Sequence, residues 1–405
     1  ADKKKPIEDK KFIFTTKGVD DVTSKINDGI LLKRYQSPWF KNEVGVRRSG
    51  VTFFMTDDEI QEYIKCKLDI HYFAEKYCRV KTEDGSVQNI TLRDYQKDIL
   101  DLFSGRFSML CGSRQIGKTI NASITMLHFI TFNNDKNIMI VANIRGTTIE
   151  IIDKIKNIYI QLPFFLKVGI KNWNQQSITF ENGCRIKSSA RSKTPAIGFT
   201  IDFLYLDEFA HIPSNIIEPY YTAAYPTVSA IENSKIIITS TPNGMNLFYR
   251  LLIDAERPDG DPLKNSYRAM RVYWHQVPGR FVTMYRLNAH RMHEYGLDKD
   301  YVFEKVKEEY GDLTKVEMKF LPDISKNVIY VYNNDACTDE IAKSFVINKD
   351  GVEISIRAVA EATTWKEEAI KDIGGEDAFN QEYGLRFINA TRSLLSEHII
   401  ENPLN

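Results

Sequence analysis

Gly112-Ser113-Arg114-Gln115-Ile116-Gly117-Lys118-Thr119 decides how the rest of the chain is read. It fits the pattern G-x-x-x-x-G-K-[ST], and its flanks are the ones that pattern needs. Phe107 to Cys111 is a short apolar run suited to a buried parallel strand, and Ile120, Ile124, Leu127 and His128 then recur at helical spacing. A strand turning into a helix through glycines leaves successive backbone N–H groups free to wrap a phosphate, and the helix N-terminus adds the positive end of its dipole. Lys118 is placed to reach the β and γ phosphates and the Thr119 hydroxyl to ligate Mg²⁺. The stretch predicts binding of a nucleoside triphosphate with Mg²⁺.

Working outward, Phe203-Leu204-Tyr205-Leu206-Asp207-Glu208 is an apolar strand that ends in two carboxylates. The first acid of such a pair holds Mg²⁺ and the second polarises the attacking water. Lys235 to Ser240 (KIIITS) is a further buried strand, running into Ser240-Thr241-Pro242-Asn243-Gly244. Hydroxyls at the end of a strand beside the phosphate loop can sense the γ-phosphate. Upstream, Thr91-Leu92-Arg93-Asp94-Tyr95-Gln96 offers a glutamine amide that both donates and accepts, suited to an adenine edge, and Tyr95 as a ring to stack on the base. Ile138 to Ala142 adds another strand and about Thr147 to Leu162 a helix. This alternation predicts an α/β fold, a parallel sheet flanked by helices with ligands at the strand C-termini.

The chain has 405 residues, 43% hydrophobic and 27% charged, as in a globular protein of two or three domains or subdomains. Lys+Arg and Asp+Glu both number 54, so net charge argues neither for nor against a nucleic-acid partner. The five cysteines (Cys66, Cys78, Cys111, Cys184, Cys337) lack metal-ligand spacing and read as reduced and structural. No run approaches the ~18 apolar residues of a membrane span, so no membrane partner is expected.

Residues 1–12 are highly charged. Thr56-Asp57-Asp58-Glu59 is a capping-box start for a helix carrying Ile60, Ile64 and Leu68, with Phe73 and Tyr77 beyond. Asp84-Gly85 marks a turn or hairpin, and Glu181-Asn182-Gly183 and Lys349-Asp350-Gly351 mark hairpins. Residues 299–311 read as a charged helix. His290 and His293 could share a helix face, but without further ligands nearby they are not read as a metal site. From Trp365 a helix runs to Gly374-Gly375, and Phe379, Tyr383 and Phe387 suggest another.

Several motifs in one order resemble the ATPase half of the large terminase subunit of tailed bacteriophages. They are Leu92 to Gln96, Ser113 to Thr119, Leu206-Asp207-Glu208-Phe209-Ala210 and Ser240 to Gly244. Phe73-Ala74-Glu75-Lys76-Tyr77 and Ala378-Phe379-Asn380-Gln381-Glu382 are similar to that family too. The resemblance covers about 56–255 and 364–390. It implies a RecA-like P-loop fold with a small helical lid subdomain and an α+β insertion. The domains would be an N-terminal helical extension over 1–85, an ATPase core over 86–278, an insertion over 279–363 and a helical lid or linker over 364–405. Gly112, Ser113, Arg114, Gln115, Gly117, Lys118 and Thr119 would bind ATP, with Tyr95 and Gln96 on adenine. Thr119 and Asp207 would serve Mg²⁺, Glu208 would be the catalytic base, and Ser240 and Thr241 would couple hydrolysis to domain movement. Arg114 sits where the family has an arginine proposed to act in cis on the γ-phosphate. A guanidinium there neutralises charge on the transferring phosphoryl group, worth ~10³-fold or more. The implied partners are double-stranded DNA, the phage portal protein, the small terminase subunit and a homo-oligomeric ring, compatible with a monomer in isolation. The implied place is the host cytoplasm at the prohead portal vertex.

Three features depart from the family. Where many members carry Arg-Gly before the acidic strand, a candidate trans-acting finger, this chain has Ile197-Gly198, with Arg191 and Lys193 nearby. The family's Val-Pro-Gly is closely followed by tryptophan, whereas here Val277-Pro278-Gly279 is far from Trp365. Nothing after Asn389 supplies the acidic strands of the family's nuclease half, so no cleavage activity is expected of this chain. Two other readings fit parts of the sequence. Asp207 to His211 superficially resembles the D-E-x-H box of helicases, and a regulatory ATPase could use ATP only as a structural ligand.

Overall fold

The computed structural model describes residues 37–81, 86–190, 200–277, 280 and 364–388, with the backbone of short strands within 12–33 and 283–361. Contacts divide the chain into two compact units, Ala1–Cys111 with Gly117–Met270 and Gly112–Ile116 with Arg271–Asn405. Arg191, Lys193, Ile197, Gly198, His290, His293 and the helix expected over 299–311 lie outside the described residues.

The first unit opens with β1 (Phe12–Phe14), β2 (Ser24–Asn27), β3 (Ile30–Lys33) and β4 (Thr52–Met55), an antiparallel sheet in the order β1-β4-β3-β2. This corrects the expectation of a helical extension over 1–85. The β-branched and aromatic residues of Val51-Thr52-Phe53-Phe54 suit a strand better than a helix. The helical pattern that follows is two helices, α1 (Asp57–Leu68) and α2 (Ile70–Tyr77). Thr56 caps α1 as its sequence predicts: its Oγ1 accepts from Glu59 N at 3.2 Å and its own N–H donates to Glu59 Oε2 at 2.8 Å. The break is Asp69, whose Oδ1 accepts from Tyr72 N and so starts α2.

The hairpin β5 (Arg79–Lys81) and β6 (Val87–Asn89) leads to α3 (Asp94–Ser104), β7 (Phe107–Gly112), α4 (Lys118–Phe132), β8 (Asn137–Ala142) and α5 (Arg145–Gln161). Then come β9 (Ile170–Trp173), β10 (Ser177–Phe180), β11 (Arg185–Ala190), β12 (Phe203–Leu206), α6 (Ser214–Ser229), β13 (Lys235–Ser240), α7 (Leu247–Ala255) and β14 (Arg268–Val272). One eight-stranded sheet has the order β14-β7-β13-β12-β8-β11-β10-β9. From β7 to β11 its strands pair in parallel, and β10 joins β11 and β9 antiparallel. β7 and β12 are buried at every position, which is why they read as unbroken apolar runs. The β10–β11 turn needs its glycine: Gly183 has φ +83°, and a Cβ there would lie 1.9 Å from Asp135 Oδ1. This is the fold class expected, a P-loop α/β sheet between helices.

The remaining elements are β15 (Thr283–Arg286), β16 (Thr314–Lys319), β17 (Val328–Asn333), β18 (Ser344–Lys349), β19 (Val352–Arg357), β20 (Val359–Glu361), α8 (Thr364–Ile373) and α9 (Glu376–Glu382). β16-β17-β15-β20 is an antiparallel sheet. β18 and β19 pair with Lys349 opposite Val352, the hairpin that Asp350-Gly351 predicts. Trp274, Trp365, Ile370, Ile373, Phe379 and Tyr383 form the core around α8 and α9. The last helix is shorter than its apolar spacing suggests. It stops at Glu382 and Leu385 takes φ +56°, so Phe387 falls outside it.

His128 of α4 joins that helix to α1 and α2. Its Nε2 lies 2.9 Å from the Cys66 carbonyl, and its ring packs against Phe73 and Phe132. Burial lowers its pKa to about 4, so the folded chain keeps this imidazole neutral. The stability it contributes is complete above pH 6.5 and is lost as pH falls from 6.5 to 4, on the order of 3 kcal/mol. Urea titrations across that range should show the loss in the wild type and a flatter profile in His128→Gln, which keeps an N–H for Cys66. Equal slopes in the two proteins would assign the acid sensitivity elsewhere.

Candidate active site

Gly117 has φ +88° and sits directly before Lys118, the first residue of α4. A Cβ at Gly117 would lie 2.8 Å from Gln96 Nε2, so both the backbone turn and the packing call for glycine. Gln96 Oε1 accepts from Arg93 N at 3.0 Å, closing the N-terminus of α3. Gln96 is thus placed against the phosphate loop. Tyr95 is not available as a stacking platform: it is 5% exposed, packed in the core with its hydroxyl accepting from Arg93. That corrects the expectation for Tyr95. Its place in the first turn of an amphipathic helix puts it on the buried face with Ile99 and Leu102.

The tip of the loop, Gly112–Ile116, is anchored within its own unit. Ser113 N donates to Val272 O at 2.9 Å and Arg114 N to Glu382 O at 3.1 Å. The Arg114 guanidinium makes a bidentate pair with Glu382, Nε to Oε2 at 2.7 Å and Nη2 to Oε1 at 3.2 Å. Arg280 donates to Arg114 O at 2.9 Å and to Gln115 Oε1 at 2.8 Å, and its guanidinium lies 4.8 Å from the Trp365 ring centroid. Neither Glu382 nor Arg280 was given a role from sequence. Asn380-Gln381-Glu382 stood out only as a motif, and pattern spacing cannot show a partner so far along the chain.

The acid pair ends β12. Asp207 is 3% exposed, and its Oδ1 accepts from the Tyr205 hydroxyl at 2.7 Å and from Thr239 Oγ1 at 2.8 Å. Burial, and then Glu208 beside it, push its carboxyl above the usual range, while those two hydrogen bonds and Lys118 act the other way. Glu208 takes φ 46° and ψ 46°, a left-handed conformation uncommon for a residue with a Cβ. Its Oε1 lies 3.6 Å from Lys118 Nζ, and its Oε2 accepts from Thr241 N at 3.3 Å. Ser240 Oγ accepts from Ala210 N at 3.1 Å and donates to Thr241 O at 2.7 Å. The site thus brings together Lys118, Asp207, Glu208, Ser240 and Thr241 as the motifs suggest. Tyr205 and Thr239 were missed, though their signal exists: Tyr205 shares a strand face with Asp207, and Leu206 pairs with Ile238, which sets Thr239 level with Asp207.

The donor chemistry fits Mg²⁺ and a phosphate chain. A hydroxyl at Thr119 and a carboxylate at Asp207 are hard oxygen ligands, and Lys118 brings positive charge to a helix N-terminus. Among the described residues no group of three or more His, Cys, Asp or Glu could hold a metal ion.

A glycine turn between a buried parallel strand and a helix, with a lysine beside an acid pair two strands away, defines a P-loop nucleoside triphosphatase. The family model for the terminase large subunit, T4-like-virus type, N-terminal part, matches residues 109–401. The chain belongs to this family, the phage DNA-packaging ATPases that its motifs resemble. Among solved structures, it is similar to the large terminase ATPase domain of Thermus phage P74-26, at 19% identity and TM-score 0.36, over 45% of this chain and 82% of that one. The HK97 bacteriophage large terminase matches at 17% identity and TM-score 0.42, over 62% of this chain and 56% of that one. The Phi-28 gp11 DNA packaging motor matches at 14% identity and TM-score 0.33, over 76% of this chain and 97% of that one. At these scores the family assignment rests on the family model.

A buried carboxylate whose charge is disfavoured destabilises the empty protein. Asp207→Asn keeps an oxygen for Tyr205 and Thr239 and removes the charge. Its thermal midpoint without nucleotide or metal should equal or exceed that of the wild type. A midpoint several degrees lower would show the carboxylate to be a net stabiliser instead.

Proposed function

We propose that this chain is the ATP-hydrolysing motor part of a phage terminase large subunit, converting hydrolysis into movement of double-stranded DNA into a prohead. The observation that carries the reading is the placement of Glu208 beside Lys118, next to buried Asp207, at the ends of parallel strands. Lys118 and the N–H groups of Gly117 to Thr119 bind the phosphates, and Gln96 reads the adenine edge, a role supported by its position beside Gly117. Thr119 and Asp207 are the residues that would hold Mg²⁺, which would supply charge neutralisation to the phosphate chain. Glu208 accepts a proton from the attacking water as its oxygen bonds to the γ-phosphorus and the bond to the ADP oxygen breaks.

Arg114 stabilises charge on the transferring phosphoryl group. Its fork is committed to Glu382 in this structure, so this role requires that ion pair to open. Ser240 and Thr241, bonded to the chain at Ala210 and Glu208, pass the outcome of hydrolysis into domain movement. The grip on DNA is on the phosphate backbone and independent of sequence, hence salt-sensitive. The partners that follow are the portal protein, the small terminase subunit and further copies of the chain in a ring at the portal vertex in the host cytoplasm.

Steady-state ATP hydrolysis beside ATP-analogue binding tests this. Glu208→Gln should bind nucleotide as the wild type does and lose 10²-fold or more in turnover. Equal turnover in both proteins removes Glu208 from the chemistry. Asp207→Asn should lose the Mg²⁺-dependent part of the thermal shift that ATP gives the wild type. A full Mg²⁺-dependent shift in that variant would mean that another group holds the metal.

A further inference from the structure

The Glu208 carboxylate is 36% exposed, so packing alone does not fix it. Three polar contacts do: Lys118 Nζ on Oε1 at 3.6 Å, and on Oε2 the N–H of Thr241 at 3.3 Å and His211 Nε2 at 3.8 Å. In the hydrolysis reading, on which this inference rests, Lys118 turns to the phosphates once nucleotide binds. What then holds the glutamate is the pair Thr241 and His211, which are themselves joined, with His211 Nε2 2.8 Å from Thr241 Oγ1.

The backbone around His211 does not need its imidazole. His211 ends a single 3-10 turn, Phe209–His211, that starts directly after Glu208. That turn is fixed at Ala210: its N–H donates to Ser240 Oγ, and its carbonyl accepts from Asn243 Nδ2 at 3.1 Å and from Asn246 Nδ2 at 2.7 Å. Asn246 in turn caps α7 through Phe248 N and Tyr249 N. With the main chain held by these bonds, the ring is left with a side-chain task. It is 25% exposed, so it is not in place as core filling either.

We propose that His211 is a positioning residue for Glu208: it fixes the Thr241 hydroxyl and, together with the Thr241 N–H, holds the glutamate in the rotamer that reaches the attacking water. A glutamate free to turn spends part of its time out of place, and a base must lie within hydrogen-bond reach of the proton it takes. The positioning acts on the chemical step and not on binding.

The test is ATP hydrolysis by the full chain with His211→Phe, His211→Gln, Thr241→Val and the double variant His211→Phe with Thr241→Val. His211→Phe keeps a planar ring and should lower kcat about tenfold with KM unchanged. His211→Gln places an amide nitrogen where Nε2 lay and should return kcat to within about threefold of the wild type. Thr241→Val removes the hydroxyl but keeps the N–H, and the double variant should be no slower than the slower single one. Wild-type kcat in His211→Phe overturns the proposal, as does an equal loss in the Phe and Gln variants. Glu208→Gln run in parallel separates the two readings, because normal turnover there overturns water activation by Glu208 itself. A measurement without nucleotide stands beside these: the ¹⁵N resonance of the His211 Nε2 should shift in Thr241→Val, and an unmoved resonance also overturns the proposal.

Discussion

The catalytic edge of this protein depends on the placement of β13 between β7 and β12. All three strands run in parallel, so their C-terminal ends meet on one side of the sheet, with Ser240 level with Cys111 and Ile238 level with Leu206. The chain leaving β12 carries the acids and the chain leaving β13 carries the hydroxyls. Strands that are adjacent in space but not in sequence need crossovers, and the helices that supply them also bury both faces of the sheet. Lose that order and the lysine, the acid pair and the hydroxyls would lie on unrelated parts of the surface.

Around this edge the polar groups divide into two kinds. Tyr205 and Thr239 hold Asp207 from inside the sheet, where their own burial makes them rigid. Glu208 stands at the rim, on a left-handed residue, and is held by Lys118 at the start of α4 and by the chain leaving β13 at Thr241. The first arrangement suits a ligand that keeps one position and the second suits a side chain with more than one task. The loop tip is different again, since the contacts of Ser113, Arg114 and Gln115 go to Val272, Arg280 and Glu382.

Much of this was legible in the sequence because it is local. The glycine turn at 117, the buried runs of β7, β8, β12 and β13, the capping box at Thr56 and the hairpins at 181–183 and 350–351 follow from patterns within a few residues. What was not legible depends on partners far apart in the chain. Arg114 carries its charge wherever it points, and only the fold shows that Glu382 takes it. Tyr95 has the composition of a stacking residue but lies on the inward stripe of α3. The N-terminal sheet was missed because its strands are short and set among polar residues, while the strong helical signal of α1 lies next to them.

The burial of Asp207 sets the fold against its own acid. A neutral isostere at this position keeps an acceptor for Tyr205 and Thr239 and relieves a disfavoured charge. Stability by itself gives the chain no reason to carry a carboxylate there, whereas packing and backbone geometry are reason enough for the sheet and for the glycine of the loop.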